Sequence, residues 1–308
     1  MKTALLFSGQ GSQYVGMLKD VTEKYPRAKQ MVEYADSILG YSLSSIYFDG
    51  PVDTLKETRY TQPSLFVHSA VVQHLLAQSV EFEAVAGHSV GEYAALFAAG
   101  VLKFEDALRL VSLRGELMFK AGETDPGTMF AVVGLPNDKV EALCEELTAK
   151  GNGNVVVAAN YNAPGQVVVS GSRDYLRENA GIFKENGAKM AQELVVSGAF
   201  HSPPMLPAKE ELEKAIREIA FRDAVVPIYS NVYATPLVKA EEIKESLILQ
   251  LTMPVKWTQS LEAMQQAGFA KFIEMGPSKV LQGLVKRTLT GVEFSGVDKA
   301  EDVEALLK

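Results

Sequence analysis

Residues 82–99 read FEAVAGHSVGEYAALFAA: an apolar run, a Gly-x-Ser-x-Gly pentapeptide and a run typical of a tightly packed helix. A strand that turns sharply into a helix around a serine is a nucleophile elbow, and its glycines allow backbone strain and close helix packing. The helix N-terminus then directs unpaired N–H groups towards Ser89, where negative charge would develop in acyl transfer. The pattern predicts Ser89 as a nucleophile, although a Gly-flanked serine in an ordinary strand-helix turn would have the same sequence.

The flanking segments predict the architecture around this elbow. Residues 1–126 alternate strands with helices, among them helices predicted near residues 15–25, 28–39 and 63–77, which favours a mostly parallel, α/β-hydrolase-like sheet covered by helices. After Gly127 the predicted order changes to β-α-β-β-α-β, which is the signature of a ferredoxin-like subdomain. We therefore predict a large α/β catalytic subdomain of residues 1–126 and 198–308, into which a small ferredoxin-like subdomain of residues 127–197 is inserted.

Composition and charge exclude several function classes. The 308 residues are 47% apolar, enough for one large α/β domain with an insertion. The net charge of −8 argues against broad nucleic-acid binding, which needs clustered basic residues. The single cysteine, Cys144, excludes an internal disulfide framework and a multi-cysteine metal site. Neither a leader nor a long apolar segment follows Met1, so the sequence predicts a cytoplasmic protein without a membrane span.

A serine nucleophile needs a base, and the sequence contains four histidines. His88 should point to the opposite face of its strand from Ser89, and His68 and His74 lie in the middle of a predicted helix. His201 remains, in an irregular segment where the predicted insertion ends, so we predict it as the base; a loop histidine bonded to local backbone is the alternative. No Asp or Glu is marked as its partner, and a backbone carbonyl or an amide could orient the imidazole instead.

Arg114 lies on the apolar stripe of a predicted helix at residues 104–120, between Val111 and Met118. An inward guanidinium must be paired or must await an anion, because an unpaired buried charge is strongly unfavourable. Its planar fork suits a carboxylate. Arg114 could therefore bind a substrate acid, or it could form a structural ion pair with a glutamate.

The segment Ser8–Gln13 follows the first predicted strand and resembles a phosphate-binding loop at first sight. Tyr14 stands where the last glycine of a Gly-x-Gly-x-x-Gly motif would be, and no Gly-Lys-Ser/Thr follows. A tight glycine loop at the end of a strand beside the elbow could instead supply a second backbone N–H to an oxyanion.

Taken together, these motifs resemble the malonyl-CoA:acyl carrier protein transacylases and the related acyltransferase domains of fatty-acid and polyketide synthases. The resemblance covers nearly the whole chain, and eight motifs in order make it highly specific. They are Gly9-Gln10-Gly11-Ser12-Gln13, Thr61-Gln62-Pro63, Gly87-His88-Ser89-Val90-Gly91-Glu92-Tyr93, Arg114-Gly115, Asn162-Ala163-Pro164-Gly165-Gln166-Val167, Gly198-Ala199-Phe200-His201, Gln250-Leu251 with Pro254-Val255, and Gly276-Pro277.

The resemblance implies a role for each catalytic candidate. Ser89 would take the malonyl group and His201 would be the general base and acid. Gln10 and Val90 would supply the oxyanion N–H groups. Gln250 would offer its backbone carbonyl to His201, in place of a carboxylate.

The resemblance also implies how the substrate is bound. Arg114 would hold the free carboxylate, and Gln10 and Met118 would contact the acyl group. Phe200 and Val90 match the malonyl-selective pattern, in which a bulky residue before the histidine leaves little room for an α-methyl branch.

The implied reaction passes malonyl from malonyl-CoA to the phosphopantetheine of an acyl carrier protein in fatty acid biosynthesis, by a monomer without a cofactor or metal. A free-standing polyketide-synthase acyltransferase would look similar. A thioesterase or other serine hydrolase would share the elbow, and a non-catalytic acyl-CoA or carrier-protein binding module is a further alternative. Two residues depart from the family pattern: Ser8 stands where the family often has proline, and Pro204 interrupts the segment after His201.

Overall fold

The computed structural model describes residues 1–307. In the described part, ten strands and fifteen α-helices follow one another along the chain. Their bounds are β1 (Lys2–Phe7), α1 (Lys19–Lys24), α2 (Pro26–Leu39), α3 (Leu43–Asp49), α4 (Val52–Lys56), α5 (Thr58–Leu76), β2 (Ala84–Gly87), α6 (Gly91–Ala98), α7 (Phe104–Thr124), β3 (Gly127–Val133), α8 (Asn137–Lys150), β4 (Val156–Ala163), β5 (Gln166–Ser172), α9 (Arg173–Asn179), α10 (Gly181–Glu185), β6 (Met190–Glu193), α11 (Leu206–Glu218), β7 (Ile228–Tyr229), β8 (Pro236–Leu237), α12 (Ala240–Leu249), α13 (Trp257–Gln266), β9 (Phe269–Met275), α14 (Val280–Thr288), β10 (Glu293–Val297) and α15 (Ala300–Leu306).

The larger sheet has the order β10-β9-β1-β2-β7-β8, and only β8 runs antiparallel to its neighbour. Strand β1 is central, pairing in parallel with β2 and β9. It is buried on both faces: Leu5 and Phe7 belong to one apolar cluster and Ala4 and Leu6 to another. Continuous apolar sequence is what a parallel strand covered by helices on both sides requires.

The smaller sheet is antiparallel, with the order β4-β5-β3-β6. Side chains on β3 alternate between its two faces: Phe130 and Val132 pack in a separate core with the helices α8 to α10, whereas Met129 belongs to the large core. The predicted β-α-β-β-α-β order is present, except that the second helix is divided into α9 and α10. The predicted fold class, a mostly parallel α/β sheet with a separate ferredoxin-like sheet, is confirmed.

Backbone hydrogen bonds join the smaller sheet to the loop between α12 and α13. Val255 donates its N–H to Ala159 at 2.8 Å, and Tyr161 donates to the Val255 carbonyl at 2.9 Å, so the segment before α13 lies alongside β4. This junction ties β4 to the helices of the larger subdomain.

Helix boundaries differ most from the sequence prediction in the first part of the chain. The helix expected from residue 15 begins only at Lys19, and α5 begins at Thr58, five residues before the predicted start at Pro63. Pro63 lacks an N–H, which suggested a helix start. The turn before it is instead held by Thr61, whose hydroxyl donates to Leu55 at 2.5 Å and whose N–H donates to Glu57 at 2.9 Å.

Both departures from the family pattern fit into ordered structure. Ser8 is buried and donates to Glu274 Oε1 at 2.8 Å. Pro204 lies in a 3-10 turn at Pro203–Met205 that leads directly into α11. Over residues 1–307, no helix combines the length and apolarity that crossing a membrane would take.

Candidate active site

Ser89 lies at the sharp turn between β2 and α6, in the left-handed region with φ of 53°. The flanking glycines permit this turn: a Cβ on Gly87 would lie 2.0 Å from the Gly91 backbone, and one on Gly91 would lie 2.2 Å from the Phe7 carbonyl oxygen. Asn231 fastens the turn, because its Oδ1 accepts the Ser89 N–H at 2.7 Å and its amide donates to the Gly87 carbonyl at 2.7 Å. The segment therefore has the geometry of a nucleophile elbow.

His201 is directly hydrogen-bonded to Ser89, with 2.7 Å between Ser89 Oγ and His201 Nε2. His201 Nδ1 faces two acceptors, the carbonyl oxygens of Gln250 at 2.9 Å and Met253 at 3.2 Å. These acceptors place the proton on Nδ1, which leaves the Nε2 lone pair free to accept the Ser89 hydroxyl. The group that faces Nδ1 is thus a backbone carbonyl, one of the two possibilities that the sequence left open.

Burial, and then the charge of Arg114, lower the pKa of His201 to about 3. Both effects disfavour the imidazolium. At neutral pH His201 is therefore an uncharged imidazole, the form that a general base must have before it takes a proton.

Arg114 on α7 is fully buried, and burial lowers its pKa. Its Nη1 donates to Gln62 Oε1 at 2.7 Å, and its Nη2 donates to Gln250 Oε1 at 3.0 Å and to Ser89 Oγ at 3.1 Å. Nε has no hydrogen-bond partner, and Arg114 forms none of the ion pairs found within residues 1–307. The guanidinium is thus hydrogen-bonded to neutral groups beside Ser89, and the described residues do not contain the alternative of an ion pair with a glutamate.

A cavity of about 130 Å³ opens beside Ser89. Seven of the eight predicted site residues line it, and Gln250 lies behind it against His201 and Arg114. The lining site residues are Gln10, Ser89, Val90, Arg114, Met118, Phe200 and His201. Apolar side chains from β3, β5 and the segment after β6 close the opposite wall: Met129, Val168, Leu194 and Val196. The cavity therefore lies between the two sheets.

Two residues that line the cavity, Gln10 and Val90, have backbone amides without a backbone acceptor outside regular elements. Neither Gln10 nor Val90 donates any of the backbone–backbone hydrogen bonds found outside regular elements in residues 1–307. Val90 precedes the first turn of α6, whose N-terminal end carries partial positive charge. The Gln10 loop packs tightly on the elbow, because a Cβ on Gly9 would lie 2.7 Å from the His88 carbonyl oxygen. Both amides are therefore candidate donors to an oxyanion beside Ser89.

The sequence did not single out the side chains of Asn231 and Gln62. Asn231 lies in no motif, and Gln62 was noted only as part of Thr61-Gln62-Pro63. His88 is also among the residues that line the cavity, and its ring packs 5.3 Å from the Trp257 ring and bonds Asn162 Oδ1 at 2.8 Å. Its Nε2 is thus engaged by Asn162, and the histidine bonded to Ser89 is His201.

The remaining histidines bond elsewhere: His68 Nε2 lies 3.1 Å from Asp298 Oδ1, and His74 Nε2 lies 3.1 Å from Arg27. Within residues 1–307 no cluster of three or more His, Cys, Asp or Glu side chains could hold a metal ion.

Comparison with known proteins agrees with this geometry. An acyl transferase domain model matches residues 4–305. The malonyl CoA-acyl carrier protein transacylase of Bacillus subtilis is 40% identical over 308 residues, covering 100% of this chain and 96% of the relative. A solved acyl carrier protein S-malonyltransferase from Vibrio cholerae O1 biovar eltor is 40% identical with a TM-score of 0.94, covering 100% of both chains. A malonyl-transacylase solved with its type II polyketide synthase acyl carrier protein is 35% identical with a TM-score of 0.95, covering 100% of this chain and 99% of that one. The chain therefore belongs to the acyl transferase family, in the branch of the malonyl CoA-acyl carrier protein transacylases.

Proposed function

We propose that this chain transfers the malonyl group from malonyl-CoA to the phosphopantetheine thiol of holo acyl carrier protein, through a malonyl ester on Ser89, in fatty acid biosynthesis. One observation carries the assignment of residues: a cation without a carboxylate partner, Arg114, lies 3.1 Å from the oxygen of a serine that is already bonded to a neutral histidine. The relatives named above act on malonyl-CoA and acyl carrier protein, according to their names.

In the first half of the reaction, His201 Nε2 takes the proton of Ser89 Oγ as the oxygen attacks the thioester carbonyl. The carbonyl oxygen becomes an oxyanion, for which the N–H groups of Gln10 and Val90 are the proposed donors. The intermediate collapses, the carbon–sulfur bond breaks, and the imidazolium protonates the departing CoA thiolate. Burial makes the positive charge of the imidazolium costly. The Gln250 carbonyl offsets part of that cost by accepting a hydrogen bond from Nδ1.

The second half repeats these steps in reverse. His201 takes the proton of the phosphopantetheine thiol, and the sulfur attacks the malonyl ester. The ester carbon–oxygen bond breaks, and Ser89 recovers its proton from the imidazolium. The chemistry requires no cofactor on this chain, because the carrier protein brings the phosphopantetheine.

Selectivity for malonyl is assigned to Arg114 and to the cavity wall. A free carboxylate entering the cavity would meet a buried guanidinium that has an unused Nε donor, and such charge-assisted, bidentate bonds are strong. Phe200 and Val90 border the small cavity, which supports their role in limiting branched acyl groups, and Met118 borders it as a residue that would contact the acyl group.

The proposed organisation keeps the predicted boundaries. Residues 1–126 and 198–308 would form the catalytic subdomain, which contains Ser89, His201 and Arg114. Residues 127–197 would form the small subdomain, whose separate apolar core supports its treatment as a unit. We also propose that the protein acts as a cytoplasmic monomer, since every group in the proposed mechanism comes from one chain.

A second candidate is a free-standing polyketide-synthase acyltransferase. It is favoured by one relative, the malonyl-transacylase solved with a type II polyketide synthase acyl carrier protein. The chemistry at Ser89 would be identical, and only the carrier protein would differ.

Intact-mass spectrometry tests the function directly. The protein is mixed with malonyl-CoA and then with a holo acyl carrier protein of fatty acid synthesis or of a type II polyketide synthase. We expect a malonyl adduct that Ser89→Ala lacks and that discharges faster to the fatty-acid carrier. Release of free malonate without transfer to either carrier would identify a thioesterase instead, and faster discharge to the polyketide carrier would favour the second candidate.

A further inference from the structure

Glu92 is a buried carboxylate of α6 for which the proposed reaction has no use. It lies three residues after Ser89, is 3% exposed, and forms none of the ion pairs within residues 1–307. Its Oε2 accepts a hydrogen bond from Gln250 Nε2 at 2.6 Å. A buried carboxylate whose partners are the Gln250 amide and the Asn231 backbone N–H, with no salt bridge, needs a reason to be there, because burying a charge is costly.

The Gln250 side chain connects Glu92 to the proposed carboxylate site. Its Nε2 donates to Glu92 and to the Ser89 carbonyl oxygen at 3.0 Å, while its Oε1 accepts from Arg114 Nη2 at 3.0 Å. Glu92 and Arg114 are therefore linked through one amide rather than by direct contact.

The two ends of an amide are not equivalent, so its orientation matters. Rotation by half a turn would place the Gln250 NH2 group against the Arg114 donors, and its oxygen against the Glu92 carboxylate and the Ser89 carbonyl. In its ionised form, which predominates above about pH 7, Glu92 disfavours that rotation more strongly than the Ser89 carbonyl does, because hydrogen bonds to charged acceptors are the stronger ones. The carboxylate thus keeps Gln250 Oε1 directed at the guanidinium.

We propose that Glu92 is a positioning residue: through the Gln250 side-chain amide it holds the Arg114 guanidinium beside Ser89, and so sets the preference for malonyl over acyl groups without a free carboxylate. The inference rests on the proposed role of Arg114 in the function above. It adds a determinant of selectivity that never touches the substrate.

The test compares Ser89 acylation by malonyl-CoA and by acetyl-CoA, measured as the ratio of kcat/KM values from intact-mass time courses of the full chain. The variants are Glu92→Met, Gln250→Met and their double mutant. Gln250→Met retains the backbone carbonyl that His201 needs but lacks the amide. We expect Glu92→Met to lower the malonyl-to-acetyl ratio about 10-fold, which corresponds to the lower end of the range for a hydrogen bond to a charged group. The effect is at the lower end because the Ser89 carbonyl still holds the Gln250 amide when Glu92 is lost.

The double mutant is the decisive comparison. If Glu92 acts through Gln250, the double mutant has the ratio of Gln250→Met alone, whereas independent effects would multiply. Glu92→Gln retains an acceptor for Gln250 Nε2, although the acceptor is neutral. Its malonyl-to-acetyl ratio should therefore stay within about threefold of that of the natural protein, which is the difference expected when a neutral hydrogen bond replaces a charged one. It also keeps the proposal testable if Glu92→Met does not fold.

Glu274 offers a matched control, because it is also a buried glutamate but bonds Ser8 and the N-terminal end of α14. Glu274→Gln should lower thermal stability and leave the ratio unchanged. The proposal is overturned if Glu92→Met loses stability with an unchanged ratio, if the two effects multiply, or if Glu92→Gln loses selectivity as fully as Glu92→Met. A malonyl adduct on the natural protein upholds the proposed function whichever of these results is found.

Discussion

Acylation of Ser89 is expected to remain fast in mild acid, because His201 stays neutral there. Burial and the nearby Arg114 cation lower its pKa to about 3. A histidine with the ordinary pKa of about 6.5 would be roughly 3% neutral at pH 5. With a pKa of about 3, His201 is about 99% neutral at pH 5. The fraction of histidine in the active, neutral form therefore differs about 30-fold between the two cases at pH 5, and the acylation rate should differ by the same factor.

Rapid-quench mixing with malonyl-CoA from pH 4.5 to pH 8, with intact-mass detection of the adduct, measures this rate in a single turnover. Acetyl-CoA serves as the matched substrate because it has no free carboxylate. A fall in the acylation rate at low pH that both substrates share therefore comes from a group on the enzyme. A rate that falls about threefold as the pH is lowered from 7 to 6 in folded protein, as titration near pH 6.5 would cause, would refute the assignment of a neutral, buried base.

The same pKa shift affects stability, so folding must be checked at each pH. The unfolded chain binds a proton at His201 near pH 6.5 and the folded chain does so only near pH 3. The stability contributed by the neutral ring is therefore present above pH 6.5 and is lost as the pH falls towards 3, reaching a loss of about 2 kcal/mol at pH 5. Circular dichroism under the assay conditions separates this loss from an effect on the chemistry.

Three further results are expected. Arg114→Met should lower kcat/KM for malonyl-CoA by about 30-fold or more, and acetyl-CoA turnover should change much less; equal losses would make Arg114 structural. Gly87→Ala places a Cβ 2.0 Å from the Gly91 backbone and should cost about 3 kcal/mol in thermal unfolding, whereas Gly283→Ala meets no atom within 4 Å in α14 and should stabilise by up to about 1 kcal/mol. Burial raises the pKa of Glu92 from 4.5 to about 7, so its ionisation opposes folding as the pH rises through that interval. Glu92→Gln should therefore gain about 2 kcal/mol relative to the natural protein between pH 5 and pH 8 in urea unfolding; an equal difference at both pH values would contradict the shift.

Local patterns in the sequence were sufficient for the elbow and for the order of elements in the smaller sheet. The turn at Ser89 depends on glycines within two residues of it, and the strands and helices of residues 127–193 follow from short periodic runs. Arg114 could also be noticed from the sequence, because a charge on an apolar stripe is a local anomaly.

The groups that tune the site could not be found in that way. Asn231 contacts the Ser89 backbone across 142 residues of chain, and no local pattern marks it. The Gln250 side chain connects Arg114 with Glu92 only because the end of α12, the start of α6 and the middle of α7 meet. Long-range pairings of this kind depend on how packed elements meet in space, which periodicity and motif spacing do not encode.

Side chains of the smaller sheet alternate between two faces. As a result, mutations in the wall of the proposed acyl pocket can be tolerated independently of mutations at the proposed nucleophile, Ser89. Met129 and Val168 border the cavity, while their neighbours Phe130, Val167 and Val169 fill the separate core beneath the helices. Substitutions on the cavity face can therefore change acyl preference without loosening the core that folds the smaller sheet, and they leave the glycines of the elbow untouched. Such an arrangement allows substrate range to diverge in evolution while the machinery for acyl transfer stays fixed.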